Sequence, residues 1–249
     1  MKPLTKIFIL SSILTLFVAC DLDENYSYVD QRVDIATVEN PDSLSTFFFR
    51  LDDNKLMWTE FTNFRNYRPK NGQRIIAYYT IISDKRATGL YDYDVRLNDV
   101  YPVLTKGIFS ITPATQDSIG NDSIKVSDIW IGSDFLNIEF SYQGYDKVHY
   151  INLVSDSTKV YTDGKIHLEF RHNSNGDSPY YYENGIVSFK LNSLQKDSTK
   201  TSFDLVIHVN IPNQAADKLY TLTYKPGVIS TNYRTPKIEF RIKAEQKVY

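Results

Sequence analysis

Residue types that readily do chemistry are sparse in this chain of 249 residues: it holds one cysteine, Cys20, and four histidines, His149, His167, His172 and His208. Cys20 ends the stretch Phe17-Val18-Ala19-Cys20, which follows Lys2, Lys6 and a mostly apolar run over residues 7–18. As a helix this run of about twelve residues would reach roughly 18 Å, short of the ~30 Å of a bilayer core. It has the size of the hydrophobic region of a secretory signal. Ordinary signal cleavage wants small residues at the first and third positions before the cut, and Phe17 is large at the third. A lipobox fits better, because a thiol is the nucleophile that accepts a diacylglyceryl group. Two or more acyl chains then anchor stably, at about 0.8 kcal/mol per buried CH₂. The sequence therefore makes Cys20 the lipidation site and residues 1–19 a lipoprotein signal peptide.

Catalytic constellations are not legible. Lipid consumes the only thiol, and the chain has no G-x-S-x-G nucleophile turn. The histidines fall in strand-like segments or at their ends without metal-ligand spacing, so they read as structural or exposed and no metal is expected. In "NSNGDSPYYYENG" the donors Asn173, Asn175 and Asp177 alternate, but Gly176 is misplaced for a calcium loop and a turn is the stronger reading. Glu60, Glu169, Asp177 and Glu183 could serve an envelope glycosidase, yet no pattern pairs them. No catalytic residue and no cofactor are assigned, and the chain reads as a non-enzyme. The functional candidate is Tyr180-Tyr181-Tyr182: strand neighbours alternate, so at least one ring should be exposed to stack on a sugar or a partner protein.

The elements that must position these residues read as strands throughout, giving an all-β fold. Residues 20–31 form a polar tether. From residue 33 to 105 there are about five strand-like segments, including "FFFRL" and "KLMWTEF" around Asp52-Asp53-Asn54 and the apolar "RIIAYYTII". That density suits a small closed barrel, assigned to residues 32–109. Residues 110–127 are rich in Ser, Thr, Asp and Gly and read as a linker. Over 128–249 the alternation is clean and about seven strands are expected, as in an antiparallel β-sandwich. In "FLNIEFSY", "KIHLEFRH", "SFDLVIHVNI" and "KIEFRIK" one face is apolar and the other, with Asn137 and Glu139 in the first, is expected to be wet. Leu168 and Phe170 should be core, with His167, Glu169 and Arg171 on a solvated outer face.

The lipobox, the barrel, "YPVLTKGI", "DIWIGSDFLNIEFSY" and "HLEFRHNSNGD" together resemble the NigD-like lipoproteins over nearly the whole mature chain. The resemblance implies an N-terminal OB-type domain and a C-terminal β-sandwich. The family's name comes from a proposed link to bacteriocin immunity, and the resemblance brings no catalytic residues or ligand with it. OB folds often bind single-stranded nucleic acid. Phe47, Phe49, Trp58, Tyr78 and Tyr79 with Arg65, Arg68, Lys70 and Arg74 could imitate such a groove, but core packing explains the rings more simply. With a net charge of −2, nucleic acid is not an expected partner. The expected partners are a membrane, through the lipid, and an unidentified protein or glycan.

Asp21, Asp23 and Glu24 resemble the acidic export signal of some Gram-negative surface lipoproteins. A solvated tether or inner-membrane retention are the alternatives. The reading favours the outer membrane, with display on the surface over a periplasmic orientation. Metabolic labelling with an alkyne fatty acid checks the anchor: the wild type should be labelled and Cys20→Ser should not, whereas equal labelling of both refutes it.

Overall fold

The computed structural model describes residues 30–39, 46–62, 67–83, 89–196, 199–228 and 236. Cys20, the signal peptide, nearly all of the tether, Arg65 and the "KIEFRIK" segment lie outside the described residues.

The first strands are β1 (Arg32–Glu39), β2 (Phe48–Leu51), β3 (Leu56–Thr62), β4 (Arg74–Ser83) and β5 (Tyr93–Pro102). They close a barrel in the order β1-β2-β3-β5-β4, with β4 returning to β1. Closure leaves no free sheet edge. Phe47, Phe49, Met57, Ile75, Tyr79, Val95 and Leu97 fill its interior. Phe47, Phe49 and Tyr79 are thus core residues. Arg74 is buried as well and contributes to no basic groove.

The chain then enters a sandwich of two mixed sheets. β7 (Ile108–Ile111), β10 (Tyr150–Asp156), β11 (Ile166–Asn173), β13 (Phe203–Val209) and β14 (Lys218–Tyr224) make one sheet, in the order β14-β13-β11-β10-β7. β6 (Leu104–Lys106), β8 (Lys125–Gly132), β9 (Phe135–Gly144) and β12 (Tyr181–Lys190) make the other, in the order β6-β12-β9-β8. Alternating residues of β9, β11 and β13 meet between them, with Phe140, Phe170, Leu168 and Ile207 fully buried. The pairings are not all antiparallel: β11–β13, β10–β7 and β12–β6 run parallel. Parallel neighbours need a crossover, and β12 supplies one by passing to the opposite sheet between β11 and β13.

The segment expected as a linker is built into the sandwich. β7 ends at Ile111, a short helix α1 (Gln116–Ile119) packs on β11, and β8 begins at Lys125. Asp122 N–H donates to the His172 carbonyl at 2.7 Å, and Ile124 N–H to that of Asn210 at 2.9 Å. Its polar middle covers the end of β11 and is held by hydrogen bonds, while Ile111 and Ile124 near its ends are buried, Ile124 in the core of the sandwich.

That covering corrects a second expectation. Glu169 and Arg171 face away from the core, but they are buried, at 7% and 5% exposure. Glu169 Oε2 accepts from Arg171 Nε at 2.7 Å and Oε1 from Lys159 Nζ at 2.5 Å, while Arg171 reaches the Gly120 carbonyl. Burial pushes the Glu169 carboxyl up, but these two cations outweigh it and hold it below the ordinary range. A depressed carboxylate stabilises the fold above its unfolded pKa, and that contribution is lost as pH falls through the folded value.

Barrel and sandwich share a small core of Ile35, Ile76, Val103, Trp130 and Ile186. Beside it Arg74 forms a bidentate pair with Asp52, Nη1–Oδ1 2.7 Å and Nη2–Oδ2 3.0 Å. Asn137 of β9 joins both, accepting from Arg74 Nη2 and donating to Asp52 Oδ2 at 3.2 Å each. Ser188 of β12 donates to the same Asn137 oxygen at 2.6 Å. At Gly132 an added Cβ would sit 1.9 Å from Asp52 Oδ2, so only glycine lets β8 pass the pair. The polar face of β9, expected to be wet, is instead the seat of the barrel: Asn137 and Glu139 are 0% and 1% exposed.

Urea unfolding of the full chain tests this account of β11. Phe170→Ala should cost about 3–5 kcal/mol through lost burial and a residual cavity. Glu169→Ala should cost about 3 kcal/mol, because it strips the buried Arg171 guanidinium of its partner. A Glu169→Ala effect within roughly half a kcal/mol would mean that this face is solvated after all.

Candidate functional site

Tyr180, Tyr181 and Tyr182 are exposed at 71%, 54% and 75%. Tyr181 and Tyr182 open strand β12, opposite Gly144 and Gln143 at the end of β9. A fourth ring, Tyr145, joins them at 57% exposure. Its centroid lies 5.5 Å from that of Tyr180 and 6.2 Å from that of Tyr181, the latter pair nearly parallel at 27°. Tyr182 alternates to the other face of the strand. The cluster sits seven residues along β9 from Asn137, roughly 23 Å at ~3.3 Å per residue, so it occupies the end of the sandwich away from the barrel.

Two tight turns hold these rings. In residues 173–178, Asn175 N–H donates to its own segment's Asn173 Oδ1 at 2.8 Å. Lys147 Nζ donates to the carbonyls of Asn175 and Gly176 at 3.2 and 2.8 Å. Asp177 gathers the second turn: Oδ2 accepts from Tyr145 N–H at 2.6 Å, and Oδ1 from Asp146 and Ser178 N–H at 3.3 and 2.9 Å. Burial pushes this carboxyl up, but the Tyr145 amide, the His149 ring and the other two amides hold it far below the ordinary range.

Beneath the tyrosines lies a chain of ionisable groups that the sequence did not reveal. His149 Nε2 is 3.1 Å from Asp177 Oδ2, and His149 Nδ1 is 2.7 Å from His172 Nε2. His172 Nδ1 ends the chain on the Ser123 carbonyl at 3.2 Å. Both rings are buried, and the Tyr142 ring lies tilted against His149 with centroids 4.3 Å apart. A Cβ at Gly144 would come within 2.9 Å of His149 Nε2, so glycine is what admits the ring. The other two histidines also pair, away from this end: His167 Nδ1 lies 2.8 Å from His208 Nε2, and His167 Nε2 lies 3.0 Å from Asp163. Tyr161 covers that pair, stacked on His167 at 3.6 Å.

The structure therefore brings Asp177, two of the four histidines and all three candidate tyrosines to one end. Of the four carboxylates, Glu60 is on β3 and Glu183 on β12, while Glu169 and Asp177 are engaged by their hydrogen-bond partners. Among the described residues no three His, Cys, Asp or Glu side chains converge as a metal site. None of the helices among the described residues is long and apolar enough to cross a membrane. Sequence reasoning missed Tyr145, whose neighbourhood depends on the β9–β12 register.

The NigD-like N-terminal OB domain matches residues 35–103 and the NigD-like C-terminal beta sandwich domain residues 107–224. The curated proteins give no match. A protein of unknown function from Bacteroides vulgatus ATCC 8482 is 27% identical with a TM-score of 0.69, covering 83% of this chain and 96% of that one. A Parabacteroides distasonis ATCC 8503 protein whose name relates it to a toxin is 31% identical with a TM-score of 0.68, covering 80% and 95%. A NigD-like immunity protein from Bacteroides caccae ATCC 43185 shares the fold at 16% identity and a TM-score of 0.63, covering 78% and 97%. With an OB barrel and a β-sandwich matched in turn along nearly all of its described length, the chain belongs to the NigD-like family.

Proposed function

We propose that this protein is a cell-envelope lipoprotein, anchored through Cys20 in the outer membrane and displayed on the surface, that works as a non-enzymatic binding module. The observation that carries the reading is the packed group of Tyr145, Tyr180 and Tyr181, with Tyr182 beside it, exposed at the end of the sandwich away from the barrel. Tyrosine brings large, rigid, amphipathic contact area at low entropic cost, which is why it is enriched where proteins bind partners. The partner is a secreted antagonistic protein, and binding confers immunity on the cell. Two printed names support this: the Bacteroides caccae neighbour is called an immunity protein, and the Parabacteroides distasonis neighbour is related by name to a toxin.

The nearly parallel, exposed rings of Tyr145 and Tyr181 favour one second reading. Flat rings side by side also suit the apolar faces of sugars, as in a glycan-binding or glycan-processing accessory protein.

A survival assay separates these readings. Cells lacking the protein, challenged with the secreted fraction of competing strains, should be rescued by the wild-type gene. Rescue by a Tyr180→Ser/Tyr182→Ser variant should fall about tenfold or more, as for losing aromatic anchors. Full rescue by the variant, or no protection by the wild type, contradicts immunity through this face. Wild-type binding on a glycan array, lost in the same variant, would establish the second reading instead.

A further inference from the structure

The buried histidine pair carries a proton count that its surroundings fix. Both outer partners can only accept: the Ser123 oxygen is a backbone carbonyl, and Asp177 already takes three amide hydrogens as a carboxylate. His149 Nε2 and His172 Nδ1 must therefore both carry hydrogen. The inner nitrogens, His149 Nδ1 and His172 Nε2, face each other at 2.7 Å. That contact needs one hydrogen, since with none two lone pairs collide and with two the hydrogens do. Three protons on four nitrogens make the pair singly positive. Switching tautomers does not relieve a neutral pair, because it turns a lone pair toward either the carbonyl or the carboxylate.

The pair of His167 and His208, half-buried, is a control within the same fold. His208 Nδ1 is 3.9 Å from Asp217 and makes no hydrogen bond to it, so this nitrogen need not carry hydrogen. Two protons satisfy that pair, and it can be neutral.

We propose that His149 and His172 bind a single shared proton, and that this proton fastens the turn of residues 144–149 to that of residues 173–178, so that the tyrosine face is set only while the proton is held. The proposal rests on the binding role given to that face. Asp177 faces the pair from the second turn, with Lys147 on the carbonyls of Asn175 and Gly176. Asp122 faces it from the segment before β8, and its carboxylate binds Ser174 N–H and Oγ at 2.8 and 2.6 Å. Tyr142 covers it from β9, with Glu183 and Asp177 near that phenol. The facing charges are thus two carboxylates against one proton, with the ammonium and Glu183 set further back. Burial and the charge of His149 push His172 down, which disfavours a second proton.

The sign follows. A pair that holds a proton in the fold, where free histidines have lost it, contributes stability below the unfolded pKa and loses it as pH rises through the folded value. A second proton, entering only below the ordinary histidine range, would open the contact from the other side.

Nitrogen-15 NMR of histidine side chains in the full chain, titrated from about pH 5 to 9, reads the count directly. At about one unit above the ordinary histidine pKa the pair should show three protonated nitrogens and one bare. Two protonated nitrogens at that pH, with unchanged backbone shifts, overturn the proposal. As the shared proton leaves, the Tyr145 amide on Asp177 should exchange about tenfold faster than the general rise with pH, the order expected for one lost charge-assisted hydrogen bond. The Lys165 amide, on Asp163 beside the other pair, should follow the general rise. If the Tyr145 amide follows it too, the fastening role falls. The titration needs no ligand, so it can succeed where Tyr180→Ser/Tyr182→Ser leaves protection intact, and the failure of the two ideas is distinguishable.

Discussion

The pair between Arg74 and Asp52 is the constraint on which the arrangement of this protein depends. It joins the first residue of β4 to the β2–β3 turn, and it is almost wholly dehydrated, with side chains 0% and 2% exposed. A buried ion pair is a weak source of stability in itself, since desolvation can cancel its attraction. Its value lies in what it demands of neighbours. The two outer nitrogens of the fork need Thr37 and Asn137 beside the carboxylate, Asn137 needs Ser188, and the carboxylate needs a residue without a side chain at 132. Those requirements come from both the barrel and the sandwich, so one register of barrel on sheet satisfies them. Phe135 completes the site, with its ring 4.4 Å beneath the Arg74 guanidinium.

Seating the barrel there covers the outer face of β9 and β12 near one end and leaves the other end free. The exposed tyrosines stand at that free end, on turns bound by Asp177 and Lys147. The two ends thus differ in kind. One is a buried polar network with apolar surroundings, and the other sets an aromatic surface over a buried histidine pair. The strands of β9 and β12 run unbroken between them.

Alternation in "FLNIEFSY" and "HLEFRH" told which side chains share a face, and Leu136, Ile138, Leu168 and Phe170 are core as that pattern requires. It could not tell what lies on the opposite face. Asn137 and Glu139 read as wet because they are polar, but the barrel covers them; Glu169 and Arg171 are covered by residues 112–124 and by Lys159. Polar residues facing polar cover look the same in sequence as polar residues facing water. For the same reason residues 110–127 read as a linker, since backbone hydrogen bonds hold them and the amide is common to every residue. The three tyrosines were legible as a surface because consecutive rings cannot all turn inward. Tyr145 and the His149–His172 contact were not, since each depends on the register in which strands pair.

Barrel and sandwich should unfold as one cooperative body, held by the Arg74–Asp52 pair. Urea unfolding followed by hydrogen exchange resolved by peptide measures it, comparing peptides of β4 with peptides of β9. In the wild type both should unfold at one midpoint, and Asp52→Ala, which leaves Arg74 buried without its counter-charge, should cost about 3–5 kcal/mol in both. Two separate midpoints in the wild type, or an Asp52→Ala variant within roughly half a kcal/mol of it, would contradict the account.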